Sequence, residues 1–193
     1  ALDAGADGVL VPYCETVDEV RHTAIKAKTH PLKGEYYEKV VATGEYPSEK
    51  SEKYLNNRHK DRIFIMGIES EPAANRVEEL IECAPIDAVF IGPNDMTTSL
   101  GIPDEVDNPI YIDTLSKIIK AADDRGLPTM IHQQTISTSA KAIELGARFI
   151  MHSSDAGILL RGTQDEFAEL RKIAGKKHGG VAEVVAEDTL DVV

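Results

Sequence analysis

The sequence has 193 residues, of which 42% are hydrophobic and 28% are charged, a composition typical of one soluble α/β domain with a sizeable core. Its 21 basic and 33 acidic residues give a formal net charge of −12, which argues against a nucleic-acid-binding surface. No apolar run approaches the roughly 20 residues that span a bilayer, and no GxGxxG or GxxxxGK[ST] motif indicates a nucleotide site.

Short apolar runs alternate with helical patterns along the chain. Five runs are predicted to be strands: Gly8–Pro12, Ile63–Ile68, Ala88–Pro93, Thr129–Gln133 and Arg148–His152. Apolar spacing predicts helices at Val17–Lys28, Pro72–Cys83, Ile110–Asp124, Ser137–Leu145 and Ala156–Ile173, and a short polar helix at Glu52–Lys60. Because strands and helices alternate, we expect a parallel sheet.

The chain also repeats itself weakly. Leu2–Pro12 and Ile143–Ser153 both begin with a helix end, continue with a Gly and a small residue, and finish in a buried strand. Such self-similarity favours a (β/α)8 barrel built from like units over a doubly wound sheet. Since only five strands are predicted, we expect strands 4–8 of a barrel whose first three strands precede Ala1.

Two acidic residues follow neighbouring predicted strands. Glu69 comes directly after the second strand, and Asp95 comes directly after the third. Adjacent parallel strands lie about 4.8 Å apart, so both carboxylates can reach one divalent cation from the same rim. Hard cations prefer carboxylate oxygens. Two like charges placed together would otherwise favour protonation of one of them, and the sequence therefore predicts a metal site at this rim.

Four segments then carry a family resemblance: GADGVLVPYCETVDEVR, IMGIESEPAANRVEELI, IDAVFIGPNDMTTSLG and LGARFIMHSSD. Together they resemble the HpcH/HpaI family of class II, metal-dependent aldolases, relatives of the citrate lyase β subunit. The resemblance extends from about Leu2 to about Ile173. GADGVLVP alone is common in barrels, whereas IES followed one repeat later by FIGPNDM and SLG is specific to this family.

The resemblance implies a TIM barrel of the phosphoenolpyruvate/pyruvate-binding type and an aldehyde-lyase activity. Such an enzyme cleaves a 4-hydroxy-2-oxo acid, of the 4-hydroxy-2-oxoheptanedioate or 2-dehydro-3-deoxyglucarate type, to pyruvate and an aldehyde through a metal-stabilised enolate. Glu69 and Asp95 match the two metal ligands of the family. The expected ion is Mg²⁺ or Mn²⁺, with Co²⁺ as an alternative.

The same resemblance implies substrate-binding positions. Backbone N–H groups after the FIGP turn are expected to face the substrate carboxylate, which selects Gly92, Pro93, Asn94 and Asp95, with Gly92 permitting a tight turn. Ser70 opens a predicted helix whose positive end favours an anion. Asp155 matches an acidic position that follows the last strand.

Two catalytic elements of the family are expected before Ala1, namely a His held by an Asp and an Arg that binds pyruvate. The sequence therefore assigns no catalytic residue within this chain with certainty. Two alternatives stay open. One is a truncated, catalytically silent barrel that binds a metabolite or partner, and the other is a lyase acting on citramalyl- or malyl-CoA-like thioesters, which the FIGPNDM motif disfavours.

His132 and one long segment depart from the family pattern. His132 ends the fourth predicted strand, where it can contact a polar aldehyde tail, act as a substitute base, or simply form part of a pocket wall. In Pro31–Lys60, relatives place an Arg-Gly pair, whereas this chain has Lys33, Tyr36 and Tyr37. We expect these side chains either to reshape the substrate entrance or to form a solvated loop.

The remaining expectations concern organisation. Residues 1–174 are predicted to be the C-terminal part of one barrel domain, and residues 175–193 a linker and terminal extension. The helix Ala156–Ile173 is either the contact of a homo-oligomer or packed on its own barrel. Two separated cysteines, Cys14 and Cys83, fit reduced structural thiols, and the family resemblance implies a cytoplasmic location.

Overall fold

Parallel strands and α-helices alternate along the chain, as predicted. The structure, a computed structural model, describes residues 1–178. One sheet contains, in spatial order, the strands β1 (Gly8–Val11), β2 (Ile63–Gly67), β3 (Ala88–Ile91), β4 (Thr129–Gln133) and β5 (Phe149–His152). All five predicted strands are confirmed, each within one or two residues of its predicted bounds.

Helices connect successive strands, which is the connection that parallel neighbours require. In chain order they are α1 (Val17–Thr29), α2 (Gly34–Thr43), α3 (Glu49–His59), α4 (Glu71–Asn75), α5 (Val77–Glu82), α6 (Pro93–Ser99), α7 (Pro109–Asp123), α8 (Ile136–Glu144) and α9 (Asp155–His178). Clear start signals explain several of them. Thr16 begins α1 with a capping box to Glu19, and Asn108 accepts the Ile110 N–H ahead of Pro109 in α7.

The two faces of the sheet differ in what covers them. Along β2, Phe64 and Met66 are fully buried among helix side chains, and Ile68 continues this face beyond the strand. Because side chains alternate along a strand, Ile65, Gly67 and then Glu69 lie on the opposite face. The registers pair Gly67 with Phe90 and Phe90 with Met130 across β3 and β4. Glu69, which follows β2, therefore lies on the face turned away from the helices.

The predicted helix Pro72–Cys83 is wrong as a single element. It divides into α4 and α5 at Arg76, whose φ of −116° and ψ of 18° are not helical. Both halves still bury apolar side chains, since Val77 and Leu80 have no exposed surface. The spacing of apolar residues predicted which side is buried, but it carried no information about the break.

Of the two alternatives for Lys33, Tyr36 and Tyr37, the solvated loop is wrong, because a helix begins here. Residues 34–43 form α2, and Gly44 ends it in a left-handed conformation with φ of 73°. Tyr37 is buried, its hydroxyl donates to the His22 carbonyl oxygen at 2.7 Å, and its ring lies 4.4 Å from Lys26 Nζ. Tyr37 therefore anchors α2 on α1, whereas Tyr36 is exposed.

The described residues divide into two compact units, one formed by Ala1–Met151 and one that begins at His152. Within the second unit, α9 continues to His178, past the predicted boundary at residue 175. The predicted extension at residues 179–193 lies outside the described residues, and the domain assignment stays a prediction. Among residues 1–178, no helix combines the length and the apolar character needed to cross a membrane. Cys14 and Cys83 are free thiols.

Candidate active site

Glu69 is a buried acid at the carboxyl end of β2. It follows the strand by two residues, on the face of Ile65 and Gly67, and its exposed fraction is only 5%. One of its oxygens, Oε2, is buried and has no hydrogen-bond partner within residues 1–178. Ionised carboxylates are seldom left in this condition, because desolvation without a compensating partner is unfavourable. The oxygen is therefore available to a ligand from outside the protein.

Gly92 makes this position of Glu69 possible. A Cβ atom added at Gly92 would lie 2.6 Å from Glu69 Oε1, closer than real Cβ contacts come. The backbone of Gly92 has φ of −91° and ψ of 108°, which any residue can adopt. The tight turn expected from the sequence is therefore the wrong reason for this glycine. A side chain at position 92 would instead displace the Glu69 carboxylate from its observed position.

The pKa of Glu69 is raised above its ordinary value of 4.5. Burial is the largest cause, and the negative charge of Asp95 is the second, while a backbone hydrogen bond from Tyr13 acts in the opposite direction. The two acids singled out by the sequence are thus electrostatically coupled, as expected for the ends of adjacent strands. Their assignment as a metal-binding pair stays a prediction.

Asp95 has a different environment from Glu69. It lies in the first turn of α6, is exposed, and accepts a hydrogen bond at Oδ1 from the Tyr13 hydroxyl at 2.5 Å. The pKa of Tyr13 is raised to about 12, first by this hydrogen bond, then by desolvation and by the charges of Asp95 and Glu69. The phenol therefore keeps its proton and remains a donor.

Sequence analysis missed Tyr13. It follows β1 by two residues and has a φ of 54°, which is uncommon for a bulky side chain. The only signal in the sequence is its place after the first strand, on the rim that also carries the two acids. Nothing in the residue types nearby indicates the left-handed backbone that directs its side chain toward Asp95.

The other predicted binding residues lie close to this pair in the chain. Ser70 is the N-cap of α4, where its hydroxyl accepts the Ala73 N–H and donates to Glu15 Oε1. Because α4 has only five residues, its dipole gives less support to an anion than the sequence suggested. Pro93 is buried at the first position of α6, and Asn94 is exposed next to it. Their substrate-binding roles stay predictions.

His132 lies near the end of β4, two residues beyond Met130 and therefore on the same face of the sheet as Glu69. It is half-buried, and its Nε2 atom lies 3.4 Å from the side-chain nitrogen of Gln134. Its role stays a prediction. Asp155 belongs to the second unit, where it begins α9 and accepts the Ala156 N–H.

A hard divalent cation fits the donor set of this rim. Within residues 1–178, no group of three or more His, Cys, Asp or Glu side chains is arranged to hold a metal. Mg²⁺ is usually bound through one or two carboxylates, with water and substrate oxygens as its other ligands. Two carboxylates, one of them with a buried and partnerless oxygen, satisfy that requirement without a third acid.

Known proteins share this sequence pattern. The pattern of the HpcH/HpaI aldolase/citrate lyase family matches residues 1–161. Hydroxypyruvate/pyruvate aldolase from Sagittula stellata is 29% identical over 163 residues, which are 82% of this chain and 62% of the relative. The 5-keto-4-deoxy-D-glucarate aldolase of Salmonella arizonae is 26% identical over 167 residues, or 84% of this chain and 63% of the relative. The chain thus spans less than two thirds of their length.

A solved structure from the same family also resembles this chain. A HpcH/HpaI aldolase/citrate lyase family protein from Burkholderia cenocepacia J2315 superposes with a TM-score of 0.73 at 26% identity, over 88% of this chain and 67% of the other. Structures of this family are TIM barrels, which confirms the predicted fold class for the five parallel strands. Since the family pattern covers most of the sequence, the protein belongs to the HpcH/HpaI aldolase/citrate lyase family.

Proposed function

We propose that the protein is a metal-dependent carbon–carbon lyase that cleaves a 4-hydroxy-2-oxo acid to pyruvate and an aldehyde. The observation that carries this proposal is the pair Glu69 and Asp95 on adjacent strand ends, with Glu69 Oε2 buried and without a partner. Two relatives named as aldolases for pyruvate, hydroxypyruvate or a keto-deoxy sugar acid support the reaction class.

Glu69 and Asp95 are the proposed ligands of the divalent cation, which we infer to be Mg²⁺ or Mn²⁺, with Co²⁺ as an alternative. When bound, such a cation acts as a Lewis acid toward a 2-oxo acid. Glu69 supplies a desolvated charge, held in place by the absence of a side chain at Gly92. Asp95 supplies an exposed charge whose rotation is restrained by Tyr13.

Residues of the β3–α6 turn are proposed to bind the substrate carboxylate. Asn94 and Asp95 occupy the first turn of α6, where backbone N–H groups have no partner within the helix. Pro93 offers no N–H, so its part is to fix the backbone, and Gly92 keeps the approach free of a side chain. Ser70 is a further candidate, although its hydroxyl already bonds to Glu15.

We infer that the substrate is of the 4-hydroxy-2-oxoheptanedioate or 2-dehydro-3-deoxyglucarate type. Support comes from the relative named as a 5-keto-4-deoxy-D-glucarate aldolase. His132, on the face of the sheet that carries Glu69, is the candidate contact for a polar aldehyde portion. We further propose a cytoplasmic enzyme that forms a homo-oligomer through α9, whose Leu159, Phe167 and Leu170 are exposed apolar side chains.

The test is pyruvate release by the complete protein from a panel of 4-hydroxy-2-oxo acids, with Mg²⁺, Mn²⁺ or Co²⁺ added after chelation. We expect release to require a divalent ion and to be abolished in Glu69→Gln, because the buried charge is removed while the shape is kept. Glu71→Gln is the matched control, since Glu71 is an exposed acid two residues away. Undiminished release after chelation would refute the proposal.

A further inference from the structure

Tyr13 contacts one member of the acidic pair and lies near the other. Its hydroxyl donates to Asp95 Oδ1 at 2.5 Å, and the charge of Glu69 is close enough to raise the pKa of Tyr13. Since Tyr13 follows β1 and Asp95 follows β3, one hydrogen bond joins the ends of the two strands that flank β2. No feature of the family pattern discussed above assigns a role to it.

The hydrogen bond to Asp95 is poorly suited to a purely structural role. Tyr13 is 55% exposed and Asp95 is exposed, so water competes for both groups. Contacts of this kind add little to stability. The backbone of Tyr13 is nevertheless held at a φ of 54°, and strained residues of this type cluster at ligand-binding sites. A role in binding accounts for both observations.

We propose that Tyr13 is a positioning residue for the divalent cation, an inference that rests on the proposed function. The Asp95 carboxylate has two oxygens, and the phenol engages Oδ1. This donation restrains the rotation of the carboxylate and leaves Oδ2 for the cation. Hydrogen-bond donors to ligating groups commonly change metal affinity by about 10- to 100-fold when they are removed.

A competing role for the Tyr13 hydroxyl predicts the opposite change in cation affinity. If the phenol instead occupied the oxygen that the cation needs, its removal would strengthen cation binding. Tyr13→Phe separates these cases, because it deletes one hydroxyl and retains the ring and the backbone. Tyr54→Phe is the matched control, since Tyr54 is 56% exposed and its hydroxyl contacts only Arg58, within α3, among the described residues.

The experiment is a titration of the complete, metal-free protein with Mn²⁺, in which free Mn²⁺ is measured by electron paramagnetic resonance. We expect Tyr13→Phe to raise the Kd by about 10-fold or more and Tyr54→Phe to leave it unchanged. Thermal unfolding with and without Mn²⁺ provides a second readout. A purely structural contact would lower both midpoints equally, whereas a positioning residue reduces the increase that Mn²⁺ produces.

Glu69→Gln, included in the same titration, separates the two proposals. If Glu69→Gln weakens binding while Tyr13→Phe leaves the Kd unchanged or lowers it, the role of Tyr13 is refuted and the metal site stands. If neither wild type nor Glu69→Gln shows specific Mn²⁺ binding, the proposed function fails, and the inference about Tyr13 fails with it.

Discussion

The ends of β2 and β3 each present one carboxylate, but the two lie in opposite environments. Glu69 is 5% exposed, fits against a glycine and has an oxygen without a partner. Asp95 is exposed and is bonded to the Tyr13 hydroxyl. Burying a charge is unfavourable until an opposite charge arrives, so Glu69 gains more from a cation than Asp95 does. For the proposed cation, this difference predicts that the buried acid supplies most of the affinity and that the exposed acid supplies orientation.

The largest expected effect is a difference in Mn²⁺ affinity between Glu69→Gln and Asp95→Asn. Two unit charges 4 Å apart at an effective dielectric constant of 20 interact by about 4 kcal/mol, which corresponds to a loss on the order of 1,000-fold in Kd. We expect at least this loss for Glu69→Gln. Water screens the exposed Asp95, so Asp95→Asn should weaken binding by roughly 10- to 100-fold.

Isothermal titration calorimetry on the complete protein measures both values. Equal losses for the two substitutions would remove the distinction between a buried and an exposed ligand. A larger loss for Asp95→Asn would reverse it. Glu71→Gln serves as the control here as well, because it removes one negative charge from the same loop at an exposed position.

A smaller effect is expected for Gly92→Ala, which sharpens the comparison without removing a charge. The new Cβ would lie 2.6 Å from Glu69 Oε1 and displace the carboxylate. The carboxylate is the end of a flexible side chain, so its displacement should cost little stability, and we expect cation affinity to fall by about 10-fold as the ligand moves. Calorimetry and chemical denaturation provide the two measurements.

Gly162→Ala is the matched control for this substitution, since a Cβ there meets nothing within 4 Å. It should leave cation affinity unchanged and be neutral or slightly stabilising within α9. Full affinity in Gly92→Ala would show that Glu69 does not need its observed position.

The smallest effect concerns the pH dependence of metal-free stability. The folded protein raises the pKa of Glu69 above 4.5, mainly through burial, so folded Glu69 keeps its proton where the unfolded chain has lost it. The contribution of Glu69 to stability is therefore greatest below pH 4.5 and is lost as the pH rises through the raised folded pKa. Glu69→Gln removes this decrease.

Thermal unfolding of the metal-free proteins across this pH range tests the sign. As the pH rises, the unfolding temperature of Glu69→Gln should increase relative to that of wild type. Mn²⁺ should cancel this difference, because it stabilises the wild-type protein alone. Parallel pH profiles for the two proteins would show that burial does not raise the pKa of Glu69.

The sequence predicted the sheet well because its strands are short apolar runs bounded by Gly, Pro or charged residues, such as Ala88–Ile91. It also placed Glu69 and Asp95 after adjacent strands, where their charges influence each other, and their role as a metal-binding pair stays a prediction. It missed α2, in which only Tyr37 and Val40 are buried, too few to produce a helical pattern. The break at Arg76 was missed for a similar reason.

Details of the site depend on contacts between residues that are far apart in the sequence, and local sequence patterns do not predict such contacts. The sequence explained Gly92 by a tight turn, whereas a Cβ at this position would meet the side chain of Glu69, 23 residues earlier. Tyr13 was missed because its contact with Asp95 spans 82 residues and depends on a left-handed backbone. Its place at the end of a strand was visible in the sequence, but the direction of its side chain was not.

The Glu69 oxygen that has no hydrogen-bond partner among the described residues also affects how long the folded protein survives. A ligand that binds only the folded form protects that form in proportion to its free concentration. If the cation neutralises this one buried charge, resistance to heat and to proteases will follow the supply of divalent ions. Material prepared in a chelating buffer will then be degraded sooner than the same polypeptide kept with manganese.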